Sequence, residues 1–512
     1  MRLAQKFLIL LLPAIAFFPF LSYAQEPPPL HGLDQYIEQA MHQWHDPGLA
    51  IAVVKDGKVV LAKGFGVREL GKPAKVDKHT LFAIASNTKA FTTVSLGMLI
   101  DAGKLTWDSR LTDYLKGFQM YSPFVTREVT VRDALTHRSG DCGADFLWYN
   151  SPNTRTEILH KMRLVKPRHS FRATYCYSNN MVMAAGMIVP AVTGIRWNDF
   201  VENRIFKPLG MTDSNTSITE FKRGGDIATP HAKVDGHMQP IRWLNWDNIG
   251  PAASINSSVA DLSHWLEMLL GDGEYRGQRI VSAAVIHEME TPQVIIPPDH
   301  KFLHQLNPEA HTLAYGLTLR MDDYHGEHIV WHTGHLDGMS SALGMIPGRN
   351  LGVVILTNQD ESYLPVAIMN RVFDAYLGVP PQDWSSEILA LQQKFAAKAE
   401  KKAARLLAAR SAHPHPSVPL KDFVGTYTSP LRGTVNITLQ NHHLVLESGR
   451  HSFADLVPWN HDTFRLVWRY HFWGKGYVQF GLNPRGEVDN IHFVHGGRYE
   501  RQAEQNEEAP ED

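Results

Sequence analysis

Cysteine is almost missing from this chain: two residues in 512, Cys142 and Cys176, cannot form a disulfide scaffold. Metal-binding signatures are missing as well. There is no Cys-x-x-Cys and no His-Glu-x-x-His, so the 27 histidines are read as scattered residues, and neither metal nor cofactor is expected. An excess of one charge is also lacking. Fifty Lys+Arg against 52 Asp+Glu leave a formal charge of −2, which excludes nucleic acid as a general partner. After residue 21 no stretch holds 18 unbroken apolar residues, so no span is expected in the mature protein. No internal repeat is found.

What is present is a globular composition, 44% hydrophobic with 12 tryptophans, in a chain long enough for two or three folded units. The first 24 residues read as a secretory leader. Arg2 and Lys6 precede the apolar run Phe7 to Leu21, and Ser22-Tyr23-Ala24 provides small residues before a cut at Gln25. No cysteine follows the run, so no lipid anchor is expected, and the protein is expected to be secreted or periplasmic. In that oxidising setting Cys142 and Cys176 can pair or remain two buried thiols.

Along the chain, residues 33–45 read as a helix. Leu49–Val54 and Val59–Ala62 flank Asp56-Gly57, a two-residue hairpin signal. A buried helix is expected from about Thr88 to Ala102, with Phe91, Val94, Met98 and Leu99 at helical spacing. Short helices follow as far as Gly210, then a helix over Val259–Leu270. Strands are expected over 314–321, 328–332, 340–346 and 351–357, the last nearly all apolar as a central strand should be. The N-terminal hairpin is expected to pair with these late strands. Residues 385–410, rich in Ala, Lys, Leu and Gln, read as an amphipathic helical connector. Five β-like runs at ten-residue spacing then suggest a small antiparallel barrel or sandwich. Its aromatics (Trp459, Trp468, Tyr470, Phe472, Trp473) are expected in a core, a lid over the site or an oligomer contact being the functional alternative. The acidic stretch 503–512 is expected to be disordered.

Three unique local patterns carry the chemistry. Ser86-Asn87-Thr88-Lys89 places a hydroxyl and an amine three residues apart on one helical face, where a lysine of lowered pKa can take the serine's proton. Tyr177-Ser178-Asn179 and His332-Thr333-Gly334 are the other two, the last expected at the end of a strand. Tyr175 is a rival to Tyr177, and His137 is read as orienting its own loop. In this order the three motifs resemble those of the serine β-lactamase and penicillin-binding-protein superfamily, in its class C-like branch of β-lactamases, esterases and D-amino-acid peptidases. Leu135–Gly140, Pro208–Met211 and Pro251–Ser254 look similar too, and Asp422–Tyr427 looks like the start of an appended lipocalin-like domain.

The resemblance implies an α+β fold with an antiparallel sheet flanked by helices, an all-helical subdomain, a helical linker and a small antiparallel barrel. The implied units are a leader (1–24), a catalytic domain (25–380), a linker (381–416), a β-domain (417–502) and a tail (503–512). It implies Ser86 as nucleophile, with Lys89 and Tyr177 sharing proton transfer in either order. Asn179, His332, Thr333 and Gly334 would bind or orient substrate, Gly334 by letting it approach the strand. The backbone N–H groups of Ser86 and His335 would form an oxyanion hole. Histidine at 332 replaces the lysine of β-lactamases and removes a fixed charge that would hold a substrate carboxylate. The expected substrate is therefore a peptide, then an ester, then a β-lactam. A non-catalytic penicillin-binding or sensor protein is the alternative, and a homo-oligomer is allowed.

Overall fold

The computed structural model describes residues 29–449, 452–494 and 497–502. The leader read over 1–24 and the acidic tail read over 503–512 lie outside these described residues. Helix α1 (Leu33–Trp44) leads into β1 (Gly48–Lys55) and β2 (Lys58–Gly66). Asp56 and Gly57 both take positive φ (52° and 67°), as the two-residue turn between them requires. Next come α2 (Thr88–Asp101), α3 (Asn179–Gly186) and α4 (Val259–Leu270), then the edge strand β3 (Val294–Ile295).

The remaining strands of the sheet are β4 (Leu313–Tyr315), β5 (Arg320–Tyr324), β6 (Glu327–Leu336), β7 (Met339–Ile346) and β8 (Leu351–Thr357). They form one antiparallel sheet in the order β2-β1-β8-β7-β6-β5-β4-β3. As expected, the N-terminal hairpin joins the late strands, with Leu49 opposite Thr357 and Lys55 opposite Leu351. Every residue of β8 is buried, which explains its nearly continuous apolar sequence.

Two strand expectations need correction. The run 314–321 is two short strands, because Thr318 takes a φ of 65° and its hydroxyl lies 2.7 Å from that of Thr93 in α2. A β-branched residue in that conformation breaks the strand. His332-Thr333-Gly334 does not end its strand but lies inside β6. Pairing of β5 with β6 stops at Arg320 opposite Trp331, so β6 has no strand neighbour on that side from His332 onward. That open edge faces the start of α2.

Helix α2 is buried along its whole body, with Phe91 stacked on Trp265 of α4 at 3.8 Å. Helix α5 (Leu364–Leu377) covers the other face of the sheet, with Phe373 fully buried. Helix α6 (Trp384–Ala408) begins packed, Trp44 donating to Ser385 Oγ at 3.0 Å, and is exposed from Lys394 on. It leads to a closed barrel of eight antiparallel strands: β9 (Gly425–Ser429), β10 (Gly433–Gln440), β11 (His443–Ser448), β12 (Ser452–Asn460), β13 (Thr463–Trp468), β14 (Lys475–Leu482), β15 (Val488–Phe493) and β16 (Gly497–Arg501). The sequence reading found five of these. Pro458 disguises β12, and β16 is short and charged.

The barrel core contains Phe423, Tyr427, Phe464 and Phe480. Tyr470, Phe472 and Trp473 are not in it. They sit on the β13–β14 loop, where Tyr470 and Phe472 pack on Ala232, Val234 and Ile241 of the catalytic domain, and Arg242 covers the rings of Tyr470 and Trp473. Among the described residues no helix is long and apolar enough to cross a membrane.

Candidate active site

Ser86 is not in the first turn of α2 but in a 3-10 turn, Ala85–Asn87, immediately before it. Ala85 takes a φ of 51°, a strained conformation for alanine costing on the order of 1–2 kcal/mol. The turn is held from the sheet side: Asn87 Nδ2 donates to Ser341 Oγ at 2.8 Å, and Ser341 Oγ donates to the Ile84 carbonyl at 2.9 Å. Gly334 of β6 completes this contact. A Cβ there would collide with the Ile84 carbonyl oxygen and the Ala85 methyl, so its missing side chain admits the protein's own backbone.

Lys89, one helical turn further, is fully buried. Its Nζ lies 2.9 Å from Ser86 Oγ, 2.8 Å from Asn179 Oδ1 and 2.9 Å from the Ala252 carbonyl. Burial pushes its pKa well below the ordinary lysine value; Asp145 opposes the fall and Arg320 adds to it. A neutral amine has two N–H donors and one lone pair. The two carbonyl oxygens take the donors, which leaves the lone pair for the Ser86 hydroxyl. Asn179 is itself anchored, donating through Nδ2 to Asp145 Oδ1 at 3.0 Å.

Tyr177 donates its hydroxyl to Ser86 Oγ at 2.9 Å. Tyr175 is buried against Tyr315 and His137 and makes no such contact, which separates the two candidates. Burial raises the Tyr177 pKa and Tyr175 adds to it, while the Ser86 hydrogen bond and Arg320 act the other way; the balance is upward. The hydroxyl therefore stays protonated at neutral pH.

His137 and His332 belong to one buried chain behind Tyr177. Burial, with Lys89 and Arg320 adding to it, pushes both pKa values well down, so both rings are neutral. His137 Nδ1 accepts from Ser178 N–H at 3.1 Å, and its Nε2 lies 3.2 Å from the Tyr315 hydroxyl. That hydroxyl lies 3.0 Å from His332 Nε2, and His332 Nδ1 lies 2.6 Å from the Thr333 carbonyl. One assignment satisfies every link: His332 Nδ1–H donates to the carbonyl, Tyr315 to His332, and His137 to Tyr315. The expectation that His332 binds substrate is corrected accordingly. Both its nitrogens are occupied, and it is buried at 1% exposure.

The loop carrying His137 is held twice more. Asp133, with a fully buried side chain, accepts from Arg138 Nε at 2.6 Å and Arg172 Nη2 at 2.7 Å. Cys142 and Cys176 form a disulfide that ties the loop to the residue preceding Tyr177.

Arg320 is the group that sequence reasoning missed. It begins β5, is 7% exposed, and donates through Nη1 to Thr333 Oγ1 at 2.9 Å. Among the described residues no carboxylate pairs with it, and its Nε has no partner. His335, two residues beyond Thr333 and on the same face of β6, has its pKa lowered to about 4 by burial and by Arg320. The fixed positive charge that His332 cannot supply is thus supplied from the neighbouring strand. Its only signal in the sequence was a lone arginine within an apolar run.

Comparisons with known proteins agree with this architecture. The family model described as Beta-lactamase matches residues 33–374, and a domain of unknown function, DUF3471, matches 409–508. The chain is 27% identical over 436 residues to the unguisins hydrolase ungD' of Aspergillus campestris, covering 81% of this chain and 79% of that one. The octameric penicillin-binding protein homologue from Pyrococcus abyssi superposes with a TM-score of 0.59 at 23% identity, over 92% of this chain and 99% of its own. A D-stereospecific amidohydrolase from Streptomyces sp. gives 0.54 at 22%, over 68% and 99%.

Proposed function

The chain belongs to the beta-lactamase family, and on that premise we propose that it is a serine hydrolase that cleaves peptide amides through an acyl-enzyme on Ser86. The observation that carries this reading is the double approach to Ser86 Oγ, 2.9 Å from a buried lysine amine and 2.9 Å from a tyrosine hydroxyl. Lys89, neutral and with both N–H groups held, takes the serine proton as Ser86 attacks the carbonyl carbon. Tyr177 keeps its proton and gives it to the leaving amine. The backbone N–H groups of Ser86 and His335 receive the oxyanion. A proton then passes from the Lys89 ammonium to the Tyr177 phenolate, which resets both groups; water attacks the ester as Lys89 takes its proton, and that proton goes to Ser86 Oγ as the acid is released.

Arg320 and Thr333 give the substrate a carboxylate. A buried guanidinium without an acidic partner is costly unless an anion completes it, and a peptide's terminal carboxylate matches its two-pronged geometry. The names of the relatives, an unguisins hydrolase and a D-stereospecific amidohydrolase, support amide chemistry and make D-amino-acid peptides the substrates to try first. Ester hydrolysis uses the same centre without needing Arg320. A purely sensory role leaves the complete proton relay without a purpose. The leader read from the sequence supports action outside the cytoplasm, and the octameric neighbour makes self-association worth measuring by light scattering.

The deciding experiment labels the purified protein with a fluorophosphonate and with a fluorescent penicillin and maps the adduct by mass spectrometry. An adduct on Ser86 is expected. Its absence, together with hydrolysis unchanged in Ser86→Ala, sinks the assignment.

A further inference from the structure

A cavity of about 1010 Å³ lies between the catalytic domain and the barrel, and nothing in the mechanism above uses it. Its catalytic-domain wall is made of Phe146, Tyr149 and three acids on two turns, Asp337, Asp360 and Glu361. Facing them from the barrel are Trp468, Phe472, Trp473 and Arg432. The cavity flanks the serine centre through two segments. Phe146 follows Asp145, the residue that anchors Asn179 and so Lys89. Asp337 lies two residues beyond His335 on the connection that leaves β6.

The charges in this cavity are poorly matched. Asp337 accepts the Tyr149 hydroxyl at 2.9 Å, and Asp360 accepts the Gly338 N–H at 2.9 Å. Both partners are neutral, and among the described residues none of the three acids is in an ion pair. The lining cation, Arg432, lies over the Phe146 ring at 3.5 Å instead. Arg242, which acts on Asp337 at longer range, is occupied by the faces of Tyr470 and Trp473. Without a countercharge, burial raises Asp337 to about 6 and Asp360 to about 7.

Aromatic faces beside unpaired carboxylates suit an organic cation on an apolar stem. They do not suit a bare metal ion. Among the described residues the only three candidate ligand atoms within 4.8 Å of one another are on Cys142, His169 and Cys176, and those cysteines are bonded together. The volume is at the upper end for small-molecule clefts, so it has room for more than one residue of a peptide.

We propose that this interdomain cavity is a substrate subsite that takes the ammonium of a lysine-like side chain of a peptide, with the aromatic turn of the barrel as its outer wall. This rests on the serine-hydrolase reading and adds a second anchor, opposite in sign to Arg320. The substrate class becomes short peptides with a carboxylate at one end and a cation elsewhere.

The test measures binding, so it does not depend on turnover. Full-length Ser86→Ala protein is titrated with lysyl-alanine and with norleucyl-alanine, in both stereochemical series, by calorimetry and by tryptophan fluorescence. The lysyl peptide is expected to bind at least tenfold tighter in one series and to change the emission of Trp468 and Trp473. In Asp337→Asn/Asp360→Asn the lysyl-to-norleucyl ratio is expected to fall toward one. Equal affinities in the parent protein, no binding of either peptide, or a preference that survives the double substitution overturns the proposal. The comparison within the parent protein needs no folded double variant. If lysyl peptides bind selectively but the Ser86-intact protein hydrolyses none and takes no label, the subsite stands and the hydrolase reading fails.

Discussion

Two basic side chains are buried at the site, Lys89 against Ser86 and Arg320 against Thr333, and burial has opposite consequences for them. Lys89 can shed its proton, and its burial, with no acid in contact, favours the free amine. What remains is a base with its donors already spent on Asn179 and Ala252. Arg320 cannot shed its charge at any ordinary pH. It has only neutral partners, the Thr333 and Tyr175 hydroxyls and the Trp331 ring, and its Nε has none among the described residues. In the proposed mechanism the same low-dielectric surroundings make the amine a proton acceptor and the guanidinium a receptor for an anion. Arg320 also tunes Lys89, being among the causes that depress its pKa.

The contrast can be broken most severely at its centre. Ser86→Ala is expected to reduce kcat by about 10⁶-fold, and Lys89→Met by about 10⁴-fold or more, in a stopped assay on a preferred peptide. Arg320→Gln should be selective. For a peptide with a free carboxyl terminus kcat/KM is expected to fall about 30- to 1,000-fold, and for the same peptide amidated it should barely change. Equal losses on the two would show that Arg320 acts on the fold and not on the substrate.

The pH profile sharpens the coupling. In the proposed mechanism Lys89 works as the free amine, so activity is expected to be full above its lowered pKa and to drop as pH falls through it. No alkaline limb is expected below pH ~10, because Tyr177 is shifted upward from that value. Removing the Arg320 charge removes one cause of the depression, so the acid limb of Arg320→Gln should move to higher pH. A limb that stays in place or moves down would contradict the coupling. The smallest effect on catalysis belongs to the disulfide. Cys142→Ser/Cys176→Ser is expected to lose about 3–4 kcal/mol of stability, from a sequence separation of 34, with only a several-fold drop in kcat. Urea unfolding and steady-state kinetics on one sample separate the two.

The two cations also show how far a sequence can be read. Lys89 was legible because it lies one helical turn from Ser86, and local spacing sets their relation. Tyr177 and β6 were legible because short motifs mark them, and the central strand because its apolar run needs burial on both faces. Arg320 was not legible. It meets Thr333 across two strands just after the break at Thr318, whose positive φ is disfavoured by its own side chain and whose hydroxyl meets Thr93 of a distant helix. The positions of Asp145 and Tyr315 likewise depend on packing between elements far apart in the chain. Gly334 was legible as a point of close approach, and the backbone at Ile84 and Ala85 packs against it. In the barrel, alternation revealed five strands, while a proline and a short charged run hid two of the remaining three.

The pairing of β1 with β8 has a consequence for how the protein comes into being. Leu49 finds its partner only when Thr357 exists, and the serine turn is braced by Ser341 and Gly334, some 250 residues downstream. Contacts of such long range form late and slowly. A growing or partly threaded chain therefore carries Ser86 and Lys89 for most of its synthesis without the bracing that aligns them. The serine turn thus stays unbraced until the sheet closes, a consequence of the order of the strands.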